Sequence, residues 1–216
     1  MEITLLQVFS LLALGALWFA SWGGFHQALT NAKSGNTEAI TPERFEGVCI
    51  ANTLWVLYAS SLPETNLPLA LGCGAWVIAG GTNLVQTLVL PPPRRVLVRT
   101  RTMGVLLLSA AGLLLAVLAR DMVQPFRYAL EWLSVGSTIL LVHSGQILQM
   151  LHTKRRDTLE GVSRWDVIAP FVDWSVFIVY SILLGPLTYW PVMLNSVLGF
   201  LTSGARLYQY LLRSWR

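Results

Sequence analysis

Charge along this chain is confined to short punctuating stretches. Between them run six uncharged intervals, residues 3–32, 47–63, 65–93, 102–119, 132–153 and 174–205. A helix needs roughly 20 apolar residues to cross a bilayer, with about 17–25 as the working range. Five intervals therefore predict one crossing each, at about Ile3–Phe25, Phe45–Ser61, Leu67–Leu90, Met103–Ala119 and Tyr128–Met150. The sixth is divided by Gly185-Pro186, which breaks a helix, into about Asp166–Leu184 and Leu187–Leu212. The pattern predicts an all-α integral membrane protein with seven transmembrane helices.

The pattern also repeats. Thr37-Glu38-Ala39-Ile40-Thr41 returns 122 positions later as Leu159-Glu160-Gly161-Val162-Ser163. Leu54-Trp55-Val56-Leu57-Tyr58 returns in the same register as Val176-Phe177-Ile178-Val179-Tyr180. That register also pairs Gly23 with Gly145, Gln27 with Gln149, Leu62 with Leu184 and Cys73 with Asn195. Duplicated hydrophobic bundles are a common plan of secondary transporters, whose binding site sits between the halves. Seven helices in this register divide as three, one, three. Equivalent helices are then four crossings apart and point the same way. The halves are therefore parallel repeats related by an axis along the membrane normal. The expected division is 1–92 for the first three-helix repeat, 93–126 for a basic loop and linker helix, and 127–216 for the second repeat.

Positive charge supports the helix count. With seven spans, Lys33, Arg44, Arg94, Arg95, Arg99, Arg101, Lys154, Arg155, Arg156, Arg164, Arg206, Arg213 and Arg216 fall on one side. Only Arg120 and Arg127 fall on the other. One missed or invented helix would scramble that division. The positive-inside rule makes the rich side cytoplasmic, with the N-terminus outside and the C-terminus inside. The net charge of +4 is then a topology signal and a contact with anionic lipid headgroups, not a nucleic-acid surface. The first hydrophobic run has no basic n-region and belongs to the repeat, so it reads as retained rather than as a signal peptide.

Composition narrows the function classes. Hydrophobic residues make up 54% of the chain and charged ones 12%, about half the share in soluble domains. Cys49 and Cys73 are too few and too isolated for a disulfide framework or a metal site. Nucleotide-binding glycine loops, metalloprotease helices and nucleophile elbows are absent from the sequence. No enzyme activity, cofactor or metal is expected.

The duplicated motifs have a family likeness. Gly145-Gln146-Ile147-Leu148, a basic loop with Thr153-Lys154, and then Leu159-Glu160-Gly161-Val162-Ser163 resemble the PQ-loop signature of SWEET and SemiSWEET sugar transporters. Phe177-Ile178-Val179-Tyr180-Ser181 and Asn195-Ser196-Val197-Leu198-Gly199 look like the family's sixth and seventh helices. The first half fits more loosely, and the linker helix matches in position only. The resemblance implies that the family's substrate tryptophan of the second helix is Trp55, with Phe177 at its sixth-helix counterpart. It places the pocket asparagine of the seventh helix at Asn195 and the third-helix mate at Cys73. The prolines of the first and fifth helices fall on Gly23 and Gly145. An asparagine one turn before the sixth-helix aromatic is here Asp173.

These residues have chemistry of their own. Trp55 and Phe177 offer flat apolar faces suited to the C–H side of a sugar ring, and packing is their other reading. The Asn195 amide can read adjacent hydroxyls, or else bond a neighbouring helix. Asn52, one turn from Trp55, and its repeat equivalent Trp174 complete the candidate substrate-binding set. Asp173 lies roughly 10 Å into its helix, where a carboxylate lines a cavity, relays protons or bonds a neighbour. His143 is a possible companion to Asp173, or structural. Gly23, Gly24 and Gly145 are candidate hinges, with close helix packing as the alternative. Close packing is also the reading of Gly72, Gly74, Gly80 and Gly81. Glu131, four residues after Arg127, is expected to pair with it.

The leading expectation is facilitated diffusion of a small polar solute, a mono- or disaccharide, through alternating access at the plasma membrane. A proton-coupled amino-acid carrier is the second, suggested by Asp173 and by the departures at Phe177 and Cys73. A ligand-binding seven-helix receptor is the third. The expected partners are the small-molecule substrate and the lipid bilayer, and a homo-oligomer is left open.

Overall fold

The computed structural model describes residues 5–62, 66–92, 95–156, 158–184 and 190–214. Gly185-Pro186, Arg94, Arg216 and the first four residues lie outside that set. The long helices are α1 (Leu5–Ser34), α2 (Pro42–Ser61), α3 (Leu67–Val89) and α4 (Val96–Leu118). A short α5 (Arg120–Val123) and a 3-10 turn (Gln124–Phe126) lead into α6 (Arg127–Ser137). A π-helical turn (Thr138–Val142) joins α6 to α7 (His143–Arg155), so these three form the fifth span. The sixth and seventh are α8 (Arg164–Leu184) and α9 (Trp190–Ser214). The described residues thus trace seven helical spans in a 3+1+3 arrangement.

Three of these helices are long and apolar enough to cross a membrane by length and composition, over Leu69–Val89, Val96–Leu118 and Arg164–Leu183. In α2 and α9 the hydrophobic run is diluted by polar residues that turn inward. Arg44, Glu46, Asn195, Ser196 and Arg206 are all buried. Large apolar side chains such as Leu107, Leu108, Leu114 and Val117 of α4 face outward instead. That inversion is the arrangement a lipid solvent demands.

Six helices form a closed ring. Within the first repeat α3 packs between α1 and α2, and within the second α9 packs between α7 and α8. The halves meet where α1 lies along α8 and where α2 lies along the α6–α7 span. Helix α4 sits outside the ring against α2 and α3. It is held there by polar contacts. Arg101 of α4 donates to Glu43 at 2.6 Å and pairs with Glu46 at 2.8 Å, and Thr102 donates to Glu46 at 2.7 Å.

The loops between the first two helices of each repeat cross the pseudo-twofold axis. Gln27 of α1 donates to Gly161 O at 2.7 Å and accepts from Ser163 N at 2.8 Å. Its equivalent Gln149 donates to Ala39 O at 2.7 Å and accepts from Thr41 N at 2.8 Å. Each repeat's glutamine therefore clamps the other repeat's loop through backbone atoms, which are obligatory partners. Gly161 takes a left-handed φ of 79°, and a Cβ there would stand 2.9 Å from that of Ala39, its own equivalent.

Three expectations are corrected. Helix α1 runs on to Ser34, past the predicted end at Phe25, because its polar extension finds partners. Asn31 donates to Asn83 at 3.0 Å and Gln86 at 2.9 Å, while Gln27 donates to Asn31 at 2.8 Å. Helix α4 likewise begins at Val96, before Met103, carrying Arg99 and Arg101 on its first turns. Arg127 turns to Tyr128, donating to its hydroxyl at 2.7 Å and stacking 4.6 Å from its ring centre, so it does not form the ion pair expected with Glu131.

Candidate functional site

A cavity of about 460 Å³ lies inside the ring. All six repeat helices contribute to it and α4 does not. The contributing residues recur at helical spacing, as a face turned to one axis must. On α2 they are Arg44, Val48, Asn52 and Trp55, and on α3 Leu69, Cys73 and Trp76. The fifth span offers Thr138, Val142 and Gln146, α8 offers Pro170, Asp173, Trp174 and Phe177, and α9 offers Val192, Asn195 and Ser196. The volume falls in the range of about 300–1,000 Å³ typical of small-molecule sites.

All seven candidate substrate-binding residues, Asn52, Trp55, Cys73, Asp173, Trp174, Phe177 and Asn195, line this one cavity. Their settings differ. Trp55 is oriented by a hydrogen bond from its Nε1 to Thr138 Oγ1 at 3.0 Å. Trp174 is held between the His143 ring, 5.5 Å away, and Phe177 at 6.4 Å. Gly199 stands directly behind Trp174, leaving no room for a side chain. Asn52 donates to Val48 O of its own helix at 2.9 Å. Asn195 engages His143 at 2.9 Å. His143 therefore bonds the seventh-span amide, whereas the sequence suggested Asp173 as its companion. Cys73 and Cys49 are both buried free thiols.

Asp173 is buried, and its Oδ1 has no hydrogen-bond partner. Gln146 Oε1 and Arg44 Nε are likewise buried without a partner, and both residues line the same cavity. Buried polar groups are nearly always satisfied, and leaving one unmade costs about 1–3 kcal/mol.

At the end of the cavity where α2 and α8 begin, Arg44 makes a two-pronged ion pair with Asp166, at 2.5 and 2.7 Å. Arg206 of α9 binds the same carboxylate at 2.6 Å. The Arg206 guanidinium also donates to Asp166 O at 2.9 Å. That carbonyl lacks its usual helical donor because Pro170 stands four residues on, inside α8. Arg44 and Asp166 are separated by the repeat interval of 122. Each was noticed only as part of a charged boundary, although opposite charges at equivalent positions are a readable sign of a contact on the pseudo-axis. Gln146, Thr138, Trp76 and Tyr180 were also missed, and the helical spacing from neighbouring lining residues is the signal that points to them.

The candidate hinge glycines sit at close contacts. A Cβ on Gly23 would stand 2.7 Å from Trp165 O, and one on Gly145 2.7 Å from Arg44 Cα. Gly24 faces Trp76 and Ala79. Helices α1 and α7 continue through all three. Gly72, Gly80 and Gly81 also pack against neighbouring side chains, whereas Gly74 has open space.

No family model matches the chain, and no curated protein matches it. Among solved structures it is similar to a eukaryotic SWEET transporter determined at 3.7 Å resolution, with a TM-score of 0.56 and 16% identity. The match covers 95% of this chain and 100% of that one. The chain therefore has the seven-helix fold of a SWEET transporter.

Proposed function

We propose that this protein is a membrane transporter that carries a small polar solute, a mono- or disaccharide, down its gradient by alternating access. The observation that carries the proposal is the cavity between the two repeats, which combines aromatic walls with polar side chains. Trp55, Trp76, Trp174, Phe177 and Tyr180 supply flat apolar faces for a ring. Asn52, Gln146, Asp173 and Asn195 supply polar side chains for hydroxyls. Solute entering one side would leave from the other once the three-helix bundles rock about it. The Arg44–Asp166–Arg206 cluster and the two glutamine clamps join the bundles at one end, which the distribution of arginines makes cytoplasmic. Opening toward the cytoplasm then requires those contacts to part, with Gly23, Gly24 and Gly145 permitting the repacking.

Uptake and counterflow in proteoliposomes, with sugars and amino acids and with and without a pH gradient, test the reading. Sugar counterflow independent of the gradient is expected. Saturable binding without flux would make the chain a receptor instead. Orientation is checked by cysteine labelling in intact cells, where Asp121→Cys should react with an impermeant reagent and Arg155→Cys should not. The native Cys49 and Cys73 are buried and leave a low background.

A proton-coupled carrier is the second reading, favoured by the buried Asp173 with its unpartnered Oδ1. A uniporter needs no titrating group, so Asp173→Asn should keep counterflow and gain no pH dependence. Loss of gradient-driven uptake with exchange intact would establish proton coupling.

A further inference from the structure

We propose that His143 fixes which hydrogen-bonding edge Asn195 presents to the solute, and so acts as a positioning residue that sets the specificity of the cavity. The inference rests on the transport reading of that cavity. An asparagine amide has an oxygen that accepts and a nitrogen that donates twice. Left free, it turns over to suit either kind of partner. Here Asn195 Oδ1 lies 2.9 Å from His143 Nε2, and both residues are buried. A carbonyl oxygen only accepts, so the imidazole carries its proton on Nε2. In the neutral ring Nδ1 is then an acceptor. Thr202 Oγ1 stands 3.4 Å from Nδ1, but its proton goes to Leu198 O of its own helix at 2.9 Å, so the bond to Asn195 is the one that orients the ring. Trp174 packs against the ring at 5.5 Å.

His143 does not line the cavity, whereas Asn195 does. The histidine therefore acts through the amide and not on the solute. It opens α7 directly after the π-helical turn, an irregularity that shifts the residues beyond it around the helix. With Oδ1 engaged, the edge that Asn195 has left for the cavity is its pair of N–H donors. Asp173 and Gln146 add polar side chains elsewhere on the wall. A sugar hydroxyl can donate and accept, and this arrangement divides those roles: the hydroxyl at Asn195 is bound as an acceptor.

The test is counterflow with glucose and with analogues in which one hydroxyl at a time is replaced by fluorine or by hydrogen. Fluorine keeps a weak acceptor and no donor, and hydrogen keeps neither. At one position the fluoro analogue should be carried within about threefold of glucose while the deoxy analogue falls by about tenfold or more, the size of one unmade hydrogen bond. In His143→Leu that difference should collapse through KM with kcat little changed. His143→Gln, whose amide N–H can replace Nε2–H, should retain it. Persistence of the difference in His143→Leu overturns the proposal. A wild-type protein that carries no sugar defeats the sugar reading but leaves the orientation testable by nitrogen NMR on 15N-histidine-labelled protein. Among the three histidines, the signals lost in His143→Gln identify the ring. They should report protonation at Nε2 and change in Asn195→Leu. Protonation at Nδ1, or no response to Asn195→Leu, overturns the proposal whatever the solute.

Discussion

The two repeats match where they touch each other and differ where they face the cavity. At the glutamines and glycines of the contact the pairing is residue for residue: Gln27 and Gln149 clamp opposite loops, and Gly23 and Gly145 admit opposite backbones, while Arg44 meets its own equivalent as the opposite charge, Asp166. Inside the cavity the equivalent positions diverge. Gly24, Ala51 and Cys73 of the first repeat correspond to Gln146, Asp173 and Asn195 of the second. Behind the wall, Ser21 corresponds to His143, and its hydroxyl bonds Leu17 O of its own helix at 2.9 Å. A contact between duplicated halves serves both at once, so drift on one side is resisted by the other. A solute of the proposed kind has no twofold symmetry, so nothing would hold the cavity walls alike. The first repeat has become the more apolar wall and the second the more polar one, with Arg44, Asn52 and Asn66 the polar residues from the first.

The largest effect is expected at the charged cluster on the pseudo-axis. Asp166 balances two arginines at once, so Asp166→Ala leaves two buried cations with no counterion. Breaking a buried pair costs about 3–5 kcal/mol. Thermal unfolding in detergent should show a large loss of stability, or no folded protein should be recovered. Arg206→Met should be milder, since the bidentate Arg44 pair survives. Equal stability of Asp166→Ala and wild type would mean that the cluster does not hold the repeats together.

The matched glycines come next. Gly23→Ala and Gly145→Ala each place a methyl within 2.7 Å of backbone in the other repeat. Overpacking of this kind costs about 1–3 kcal/mol. The two variants should lose similar stability, because the contacts are equivalent. A large cost at one and none at the other would show that the contact is less symmetric than it looks.

This comparison was partly legible beforehand. The span count followed from charges bracketing each apolar run, and the parallel repeats followed from the register. The ring order, with α3 between α1 and α2, did not. Periodicity tells which face is apolar but not which neighbour covers it. The tail of α1 was lost because His26–Ser34 is largely polar, and the partners of its buried Gln27 and Asn31, on α3 and on the loop before α8, are not adjacent in sequence. Five of the seven candidate residues came from the resemblance to SWEET transporters, and the repeat register added Trp174 opposite Asn52. The bond between His143 and Asn195 was not legible, since it depends on the distance between two helices that sequence does not record. The Arg44–Asp166 pair was present in the register and passed over, because each residue alone fits a charged membrane boundary.

Within the cavity, Asn195→Ala should weaken solute binding by about 1–3 kcal/mol, the cost of leaving a buried partner unmade. Concentration-dependent uptake, with expression and folding checked in parallel, measures it. Unchanged uptake would remove Asn195 from the site and, with it, the polar identity of the second repeat's wall.

The smallest effect is expected where the first repeat is asked to imitate the second. Cys73→Asn installs an amide at the position equivalent to Asn195, and on composition alone it should improve binding of a hydroxylated solute. An amide contributes only when its orientation is fixed, and the residue equivalent to His143 is Ser21, whose proton is already committed to Leu17 O. The new side chain would be free to turn over inside an apolar wall that includes Leu17, Leu69 and Trp76. Solute affinity should therefore change by no more than about twofold, or ~0.4 kcal/mol, while thermal stability falls because another buried amide lacks a defined partner. A tenfold gain in affinity would break the comparison. It would mean that the first repeat lacks only an amide, and that the histidine behind Asn195 is not what makes the second repeat's wall selective.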